Sequence, residues 1–267
     1  NTINGFTLLG AKTGFIGKVN DDAAGHLFAE DIKKAGVEYN TKFLSADKGV
    51  STSKCMVLIT PDATRSMNTY LGASGYITPF DIDEDLIAKS DITYLEGYLF
   101  DKEDAKKAFK RVAEIAHSEG KEIALTLSDK FCVERHHDEF ADLIENYVDI
   151  LFCNEDEIKA LCKTAELPKT LPNCKLVVIT RGDKGAVIIS KNDYVEVKAD
   201  SKVKLKDLTG AGDAFAAGFL YGYVNKMPLH KCGEIGVAMS AEVISKIGPR
   251  IDEGVLKVLR KKGLIES

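Results

Sequence analysis

The 267 residues predict an α/β protein: a doubly wound, mainly parallel sheet carrying a small β insert near its start. Three observations lead there. Strand-length apolar runs alternate with helix-length periodic stretches from about residue 92 to 180, the rhythm of repeated βαβ units. A β-branched stretch with turn chemistry interrupts the chain after its first β-then-α unit. Finally, 45% hydrophobic residues over this length give one large domain a sizeable core.

In chain order, Thr13 to Val19 reads as an apolar strand. Asp21 and Asp22 open a helix in which Ala24, Leu27, Phe28, Ile32 and Ala35 recur at helical spacing, and Gly36 ends it. Val37, Tyr39, Thr41 and Phe43 alternate, Thr52 to Thr60 is β-branched, Pro61-Asp62 turns the chain, and Ser66 to Leu71 is another short strand. Residues 37–71 are therefore expected to be a local antiparallel insert, with 1–36 and 72–267 forming the core. Strands at Ile92–Glu96 and Glu122–Ser128 flank a helix from Lys102 to Ser118. Helix 135–147, strand 149–153, helix 154–163 and strand 175–180 continue at βαβ spacing, which favours a parallel sheet covered on both faces. Gly185–Ser190 and Tyr194–Val197 form a hairpin pattern, and helical patterns at 210–225, 229–246 and 252–262 close the chain.

Charge excludes several classes of partner. With 36 basic and 41 acidic residues the net charge is −5, so no electrostatic footprint favours nucleic acid or an anionic membrane, and a small-molecule ligand is expected. The longest nearly apolar stretch, within Ala214–Val224, is far shorter than the ~18–20 residues that cross a bilayer. Six cysteines without a C-x-x-C pair read as buried reduced thiols, and no targeting segment is recognisable, which together predict a cytoplasmic location. His136 and His137, near Cys132 but among charged residues, read as a solvated helix start rather than a zinc site.

The strongest chemical motif is Thr209-Gly210-Ala211-Gly212-Asp213 ahead of an apolar helix. Two glycines let backbone N–H groups crowd one point, and a helix N-terminus adds about half a positive charge, so the loop suits an anion. Asp213 is then either a dipole-compensating carboxylate or a general base placed where a phosphate sits. The two common phosphate loops are excluded. A dinucleotide fingerprint needs glycine where Phe215 stands, and neither Gly17-Lys18 nor Gly120-Lys121 has glycine five residues before its own glycine. Thr180-Arg181-Gly182-Asp183-Lys184-Gly185 follows a strand at its carboxyl end, where ligands gather in open α/β sheets. Asn154-Glu155-Asp156-Glu157 opens a helix after a strand and reads two ways: a capping box, or hard oxygen ligands for magnesium or its waters.

In this order the motifs resemble the ribokinase or PfkB family of carbohydrate and nucleoside kinases. The resemblance runs through Gly14–Gly25 (GFIGKVNDDAAG), the insert, Tyr147–Glu157 (YVDILFCNEDE), Val177–Gly185 and Asp207–Asp213 (DLTGAGD). It implies a ribokinase-like fold whose insert is a β-sheet lid. It implies that Asp213 is the catalytic base and that Gly210, Ala211 and Gly212 form the anion hole. Thr180, Gly182, Gly185 and Asn154 would bind nucleotide, and Asn154 with Glu157 would organise magnesium through water. The stretch 236–244 would contribute to the adenine wall. Asn1 resembles the last residue of the family's Gly-Gly-x-x-x-Asn substrate motif; the resemblance implies the two glycines, a first core strand and an acidic residue that grips sugar hydroxyls ahead of it, and this sequence contains none of them. ATP and Mg2+ are the implied cofactors, with K+ beside the anion loop, and a monomer or a homodimer through the lid is the implied assembly.

Within the family, Arg65–Ser74 (RSMNTYLGAS) and Leu127–Phe131 (LSDKF) resemble adenosine kinases most, although Leu208 and Lys130 depart from the commoner threonine and proline. The reading is ATP-dependent phosphorylation of a ribonucleoside's primary hydroxyl, adenosine foremost, with Arg65 and Asn68 on the lid touching the acceptor. The alternatives are a kinase of free ribose or fructose and a non-catalytic nucleoside- or nucleotide-binding protein on the same fold.

Overall fold

The computed structural model describes residues 1–168, 171 and 173–266. Helix α1 (Thr2–Leu8) precedes strand β1 (Thr13–Gly14), helix α2 (Ala23–Lys34) and strand β2 (Val37–Glu38). Strands β3 (Lys54–Ile59) and β4 (Arg65–Tyr70) follow, then α3 (Glu84–Lys89) and β5 (Ile92–Glu96). The remainder alternates: α4 (Glu103–Ser118), β6 (Glu122–Thr126), α5 (Lys130–Arg135), α6 (His137–Tyr147), β7 (Ile150–Asn154), α7 (Glu155–Cys162), β8 (Leu176–Thr180), β9 (Ala186–Ser190) and β10 (Tyr194–Val197). Helices α8 (Ala211–Val224), α9 (Leu229–Ile244) and α10 (Gly254–Lys261) close the chain.

The main sheet has the order β10-β9-β8-β7-β6-β5, with β5 to β8 parallel and β9–β10 an antiparallel hairpin at one edge. Its central strands are covered on both faces, which explains their unbroken apolar runs Ile150–Cys153 and Leu176–Ile179. On one face, Leu125, Leu151, Cys153, Val177 and Ile179 pack with α4 to α7, where Phe100 and Phe140 stack at 4.2 Å. On the other, Phe152, Val178 and Ile188 meet Phe215 and Phe219 of α8. Tyr223, in the last turn of α8, donates to Glu122 at the start of β6 over 3.2 Å. Helix α8 therefore runs against the strands, and its N-terminus lies at their carboxyl ends.

The insert differs from expectation. Val37 and Glu38 pair in parallel with Thr13 and Gly14, and Leu44 donates to Val19 at 2.8 Å. Alternation in 37–43 thus marks a strand edge of the core, buried through Val37 and Tyr39 against Ala29 and Ile32 of α2, and not part of an antiparallel insert. Only the hairpin β3–β4 stands out as the small antiparallel lid. The expected strand 13–19 keeps a ladder for two residues only, because glycines at 14 and 17 weaken it.

Helix α1 has no strong signal of its own, holding Thr, Asn and Gly. It forms by packing on α8, where a Cβ on Gly5 would lie 3.1 Å from that of Ala217. The helix expected over 135–147 is α6, and a short helix that was not expected, α5, capped by Asp129, precedes it with a break at His136. Cys55 is exposed, which departs from an all-buried set of thiols. No described helix is long and apolar enough to cross a membrane, and the described residues hold no group of three or more metal-ligating side chains.

A cavity of about 1740 Å³ runs along the outer edge of β5 and beneath the lid. Thr2 and Thr93, which line it, hold the two buried side-chain polar atoms without a partner among the described residues.

Candidate active site

The anion loop is built by one buried carboxylate. Asp207 is 1% exposed, and its Oδ1 accepts from Thr209 N at 2.8 Å and Thr209 Oγ1 at 2.6 Å. Its Oδ2 accepts from Gly248 N at 2.8 Å. These donors, opposed by burial, hold the Asp207 carboxyl below its ordinary value, so it is a charged clamp at neutral pH. Gly210 then takes φ +81°, with any Cβ 2.8 Å from the carbonyl of Pro249, and caps α8. Ser240 of α9 donates to Ala211 O at 2.8 Å.

The first turn of α8 leaves the N–H groups of Gly212 and Asp213 without an acceptor among the described residues. Space over Gly212 is open, since a Cβ there would meet nothing within 4 Å. The loop thus offers free donors, positive helix polarity and room for an anion. Asp213 sits in this turn, and its Oδ2 accepts from Asn1 Nδ2 at 2.7 Å.

Two further strand ends border the same edge of the sheet. Asn154 closes β7 opposite Thr180 of β8, whose Oγ1 donates to Cys153 O at 3.3 Å. Both readings of Asn154 and Glu157 bear on one geometry. The capping box is complete: Glu157 N donates to Asn154 Oδ1 at 2.9 Å, and Asn154 N and Nδ2 donate to Glu157 at 2.9 and 2.7 Å. Glu157 is 6% exposed, and burial pushes its carboxyl up to about 7, with Asp129 and Asp156 adding to the rise against the Asn154 N–H. Asn154 and Glu157 are hard oxygen donors already engaged with each other. They fit the water shell of a magnesium ion better than direct coordination.

The loop after β8 is braced by Arg181, which bridges Glu155 and Glu196 at 3.1 Å each. Gly182 has φ +58° and Gly185 φ +92°, and a Cβ on Gly185 would lie 1.9 Å from Val197 O. Only glycine fits that turn.

Sequence reasoning missed Glu96, at the carboxyl end of β5. Its carboxyl lies on a concave floor open to solvent, where surrounding protein and then the nearby Asp213 carboxylate raise its pKa. An acidic residue closing a parallel strand was its signal. Tyr98, two residues on, donates to Ser128 O at 2.8 Å. Burial, then Asp129, Glu157, Asp213 and Glu96, push its hydroxyl up to about 12. Tyr98 therefore lies within electrostatic reach of Asp129, Glu157, Asp213 and Glu96.

On the lid, Cys55, Met67 and Thr69 line the cavity. Register puts Arg65 on their face and Asn68 on the opposite one with Met56, so Asn68 points away from the cleft, against the expectation that it faces an acceptor, and Met67 and Thr69 take the cleft-facing positions. Arg65, at the lid tip, helps to hold the Asp207 carboxyl low. Most of 236–244 is spent on packing against α8 and the 206–207 segment, with Ala238, Met239 and Val243 buried.

Known proteins similar to this chain include kinases. An uncharacterised sugar kinase of Archaeoglobus fulgidus is 30% identical over 251 residues, 92% of this chain and 96% of the relative. A probable sugar kinase of Rhizobium etli is 40% identical with a TM-score of 0.94, covering 99% of this chain and 81% of that one. The adenosine kinase of Sinorhizobium meliloti is also 40% identical, with a TM-score of 0.93 over 98% and 81% of the two chains. Residues 1–254 match the pfkB family of carbohydrate kinases. With the ribokinase-like sheet and the small antiparallel lid in place, the chain belongs to this family of phosphotransferases acting on a hydroxyl group.

Proposed function

We propose that this protein is an ATP-dependent, Mg2+-assisted kinase that phosphorylates the primary hydroxyl of a ribonucleoside, with adenosine the favoured acceptor. The observation that carries the chemistry is Asp213 in the same helical turn as two free N–H groups. An acceptor hydroxyl gives up its proton to the Asp213 carboxylate as its oxygen bonds to the terminal phosphorus of ATP, and the β–γ phosphoanhydride bond breaks to release ADP. The 210–212 amides stabilise charge on the transferring group, and lid closure excludes water. Arg65, on the cleft face and free of an ion pair among the described residues, adds positive charge as the lid closes. Thr180, Gly182 and Gly185 border the nucleotide, with Asn154 at the neighbouring strand end. Asn154 and Glu157 would hold magnesium through water, and the bound metal would neutralise phosphate charge.

The nucleoside reading is supported by Met67, Leu71 and Tyr98, which line the cavity and offer apolar area to a flat base. A free-sugar acceptor is supported by the polar floor, where the Glu96 carboxyl and the Asn1 amide neighbour Asp213 and suit hydroxyl groups. The outward lid face, exposing Met56, Leu58 and Tyr70, supports a homodimer through the lid.

The test is turnover of ATP against adenosine, other nucleosides, ribose and fructose. A kcat/KM for adenosine above that for every free sugar is expected. A higher value for ribose or fructose overturns the nucleoside assignment and leaves the sugar kinase.

A further inference from the structure

The lid makes little contact with the core along its length. Every residue of β4 is exposed, as are Lys54, Cys55, Met56 and Leu58 of β3. Apart from its tip, where Ala63 is 2% exposed and Arg65 lies within electrostatic reach of Asp207, its angle over the site is set where its two legs enter the core, at 51–53 and 71–73. The legs are tied to each other: Ala73 N donates to Ser51 O at 3.0 Å, and Gly72, at φ +49°, brings its α-carbon so close that a Cβ would lie 2.3 Å from Ser51 O.

The second leg is held by packing, with Ala73 fully buried, whereas among the described residues the first leg is hydrogen-bonded to the core, through Thr52, which is 7% exposed. Thr52 N donates to Asp22 Oδ2 at 2.8 Å, and Thr52 Oγ1 donates to Asp22 Oδ1 at 2.7 Å. Asn20 N donates in turn to Thr52 Oγ1 at 3.0 Å. The same carboxylate caps α2 by accepting from Gly25 N at 2.8 Å. The packing is tight enough that a Cβ on Gly25 would lie 2.0 Å from Asn20 O and 3.0 Å from Thr52 Oγ1.

We propose that Asp22 and Thr52 form a latch that positions the lid: one carboxylate, shared between the N-terminus of α2 and the lid's first leg, fixes the angle at which Arg65, Met67 and Thr69 meet the acceptor. The latch rests on the phosphotransferase reading of the cleft, and neither residue touches the reacting atoms. Its leverage is large. A six-residue strand is ~20 Å long at ~3.3 Å per residue, so a rotation of ~10° at Thr52 moves the tip by about 3 to 4 Å. Displacements of about 1 Å at a reacting centre already cost ~100-fold in rate. The three donors also hold the Asp22 carboxyl down at about 2, so the latch stays charged across the working pH range.

The experiment pairs Thr52→Val with Thr52→Ser on the full chain. Valine keeps the shape and the N–H but removes the hydroxyl, leaving the α2 cap intact; serine restores the hydroxyl. Thr52→Val is expected to raise the acceptor KM about tenfold while the ATP KM changes less than about twofold, and Thr52→Ser to restore the acceptor KM to within about twofold. Hydrogen exchange at 51–53 and 71–73 should quicken in Thr52→Val and not in Thr52→Ser. Asp22→Asn, which keeps an oxygen for Gly25 N, should move both readouts the same way and serves if Thr52→Val does not fold. Parental exchange and parental acceptor KM in the folded variant overturn the latch, and so does an equal loss of both KM values with no rescue by serine. If the parent phosphorylates no acceptor, the kinase reading fails separately, and the exchange measurement alone decides the latch.

Discussion

Glu157→Gln separates burial from charge in the capping box. The carboxyl has an ordinary value of 4.5 and is pushed up to about 7 in the folded chain, chiefly by burial. At ~1.36 kcal/mol per pKa unit the difference amounts to about 3 kcal/mol. Because the folded value is raised, the folded chain holds this proton more tightly than the unfolded one. The stabilisation is fully present below pH 4.5, falls as pH rises through 7, and is gone above it. Glutamine has no such proton, and it loses one of the two bonds from Asn154 by setting a donor against a donor, a cost of about 1 kcal/mol that does not change with pH. Urea unfolding of parent and variant from about pH 5 to pH 8 should therefore show the parent's advantage shrinking by about 2 to 3 kcal/mol. A difference that stays constant across this range would refute the raised carboxyl and leave Glu157 a simple cap. The same proton competes with metal, so the Mg2+ concentration required by the parent should rise as pH falls through 7, and the variant's should not.

Asp213→Asn should lower kcat by ~10² to 10⁴ with ATP affinity retained, because an amide cannot take the acceptor's proton. Near-normal kcat from steady-state assays would remove Asp213 from the role of base. Asp207→Asn turns an acceptor of three hydrogen bonds into a group with a misplaced donor; calorimetry should show a loss of about 1–3 kcal/mol, accompanied by weaker ATP binding as the anion loop loosens. Gly185→Ala places a Cβ against Val197 O at a positive φ, and thermal unfolding should report a loss of about 1–3 kcal/mol. Parental stability there would mean that the turn relaxes freely.

The local alphabet of this chain was legible without coordinates. Apolar runs of strand length, the 3.6-residue spacing in 103–118 and 137–147, and the glycines around 210 name their own conformations, because burial on both sheet faces and positive-φ turns demand those residue types. The motif at 209–213 and the pair Asn154 and Glu157 were likewise visible, since each combines neighbours in sequence. What needed tertiary structure was every relation between distant residues. Val37 was assigned to the insert because alternation does not say which edge a strand joins; the core claims it through Thr13. Asn68 and Met67 alternate in sequence, but only the pairing of β3 with β4 and the cavity beneath decide which of them meets the cleft. Glu96 and Asp213 are 117 positions apart in sequence, and their coupling exists only because α8 runs antiparallel to the sheet and returns its N-terminus to the strand ends. The latch of Asp22 on Thr52 likewise joins two unremarkable polar residues across a fold boundary. Sequence periodicity encodes which face of an element is buried; which other element buries it is set by packing of the whole chain.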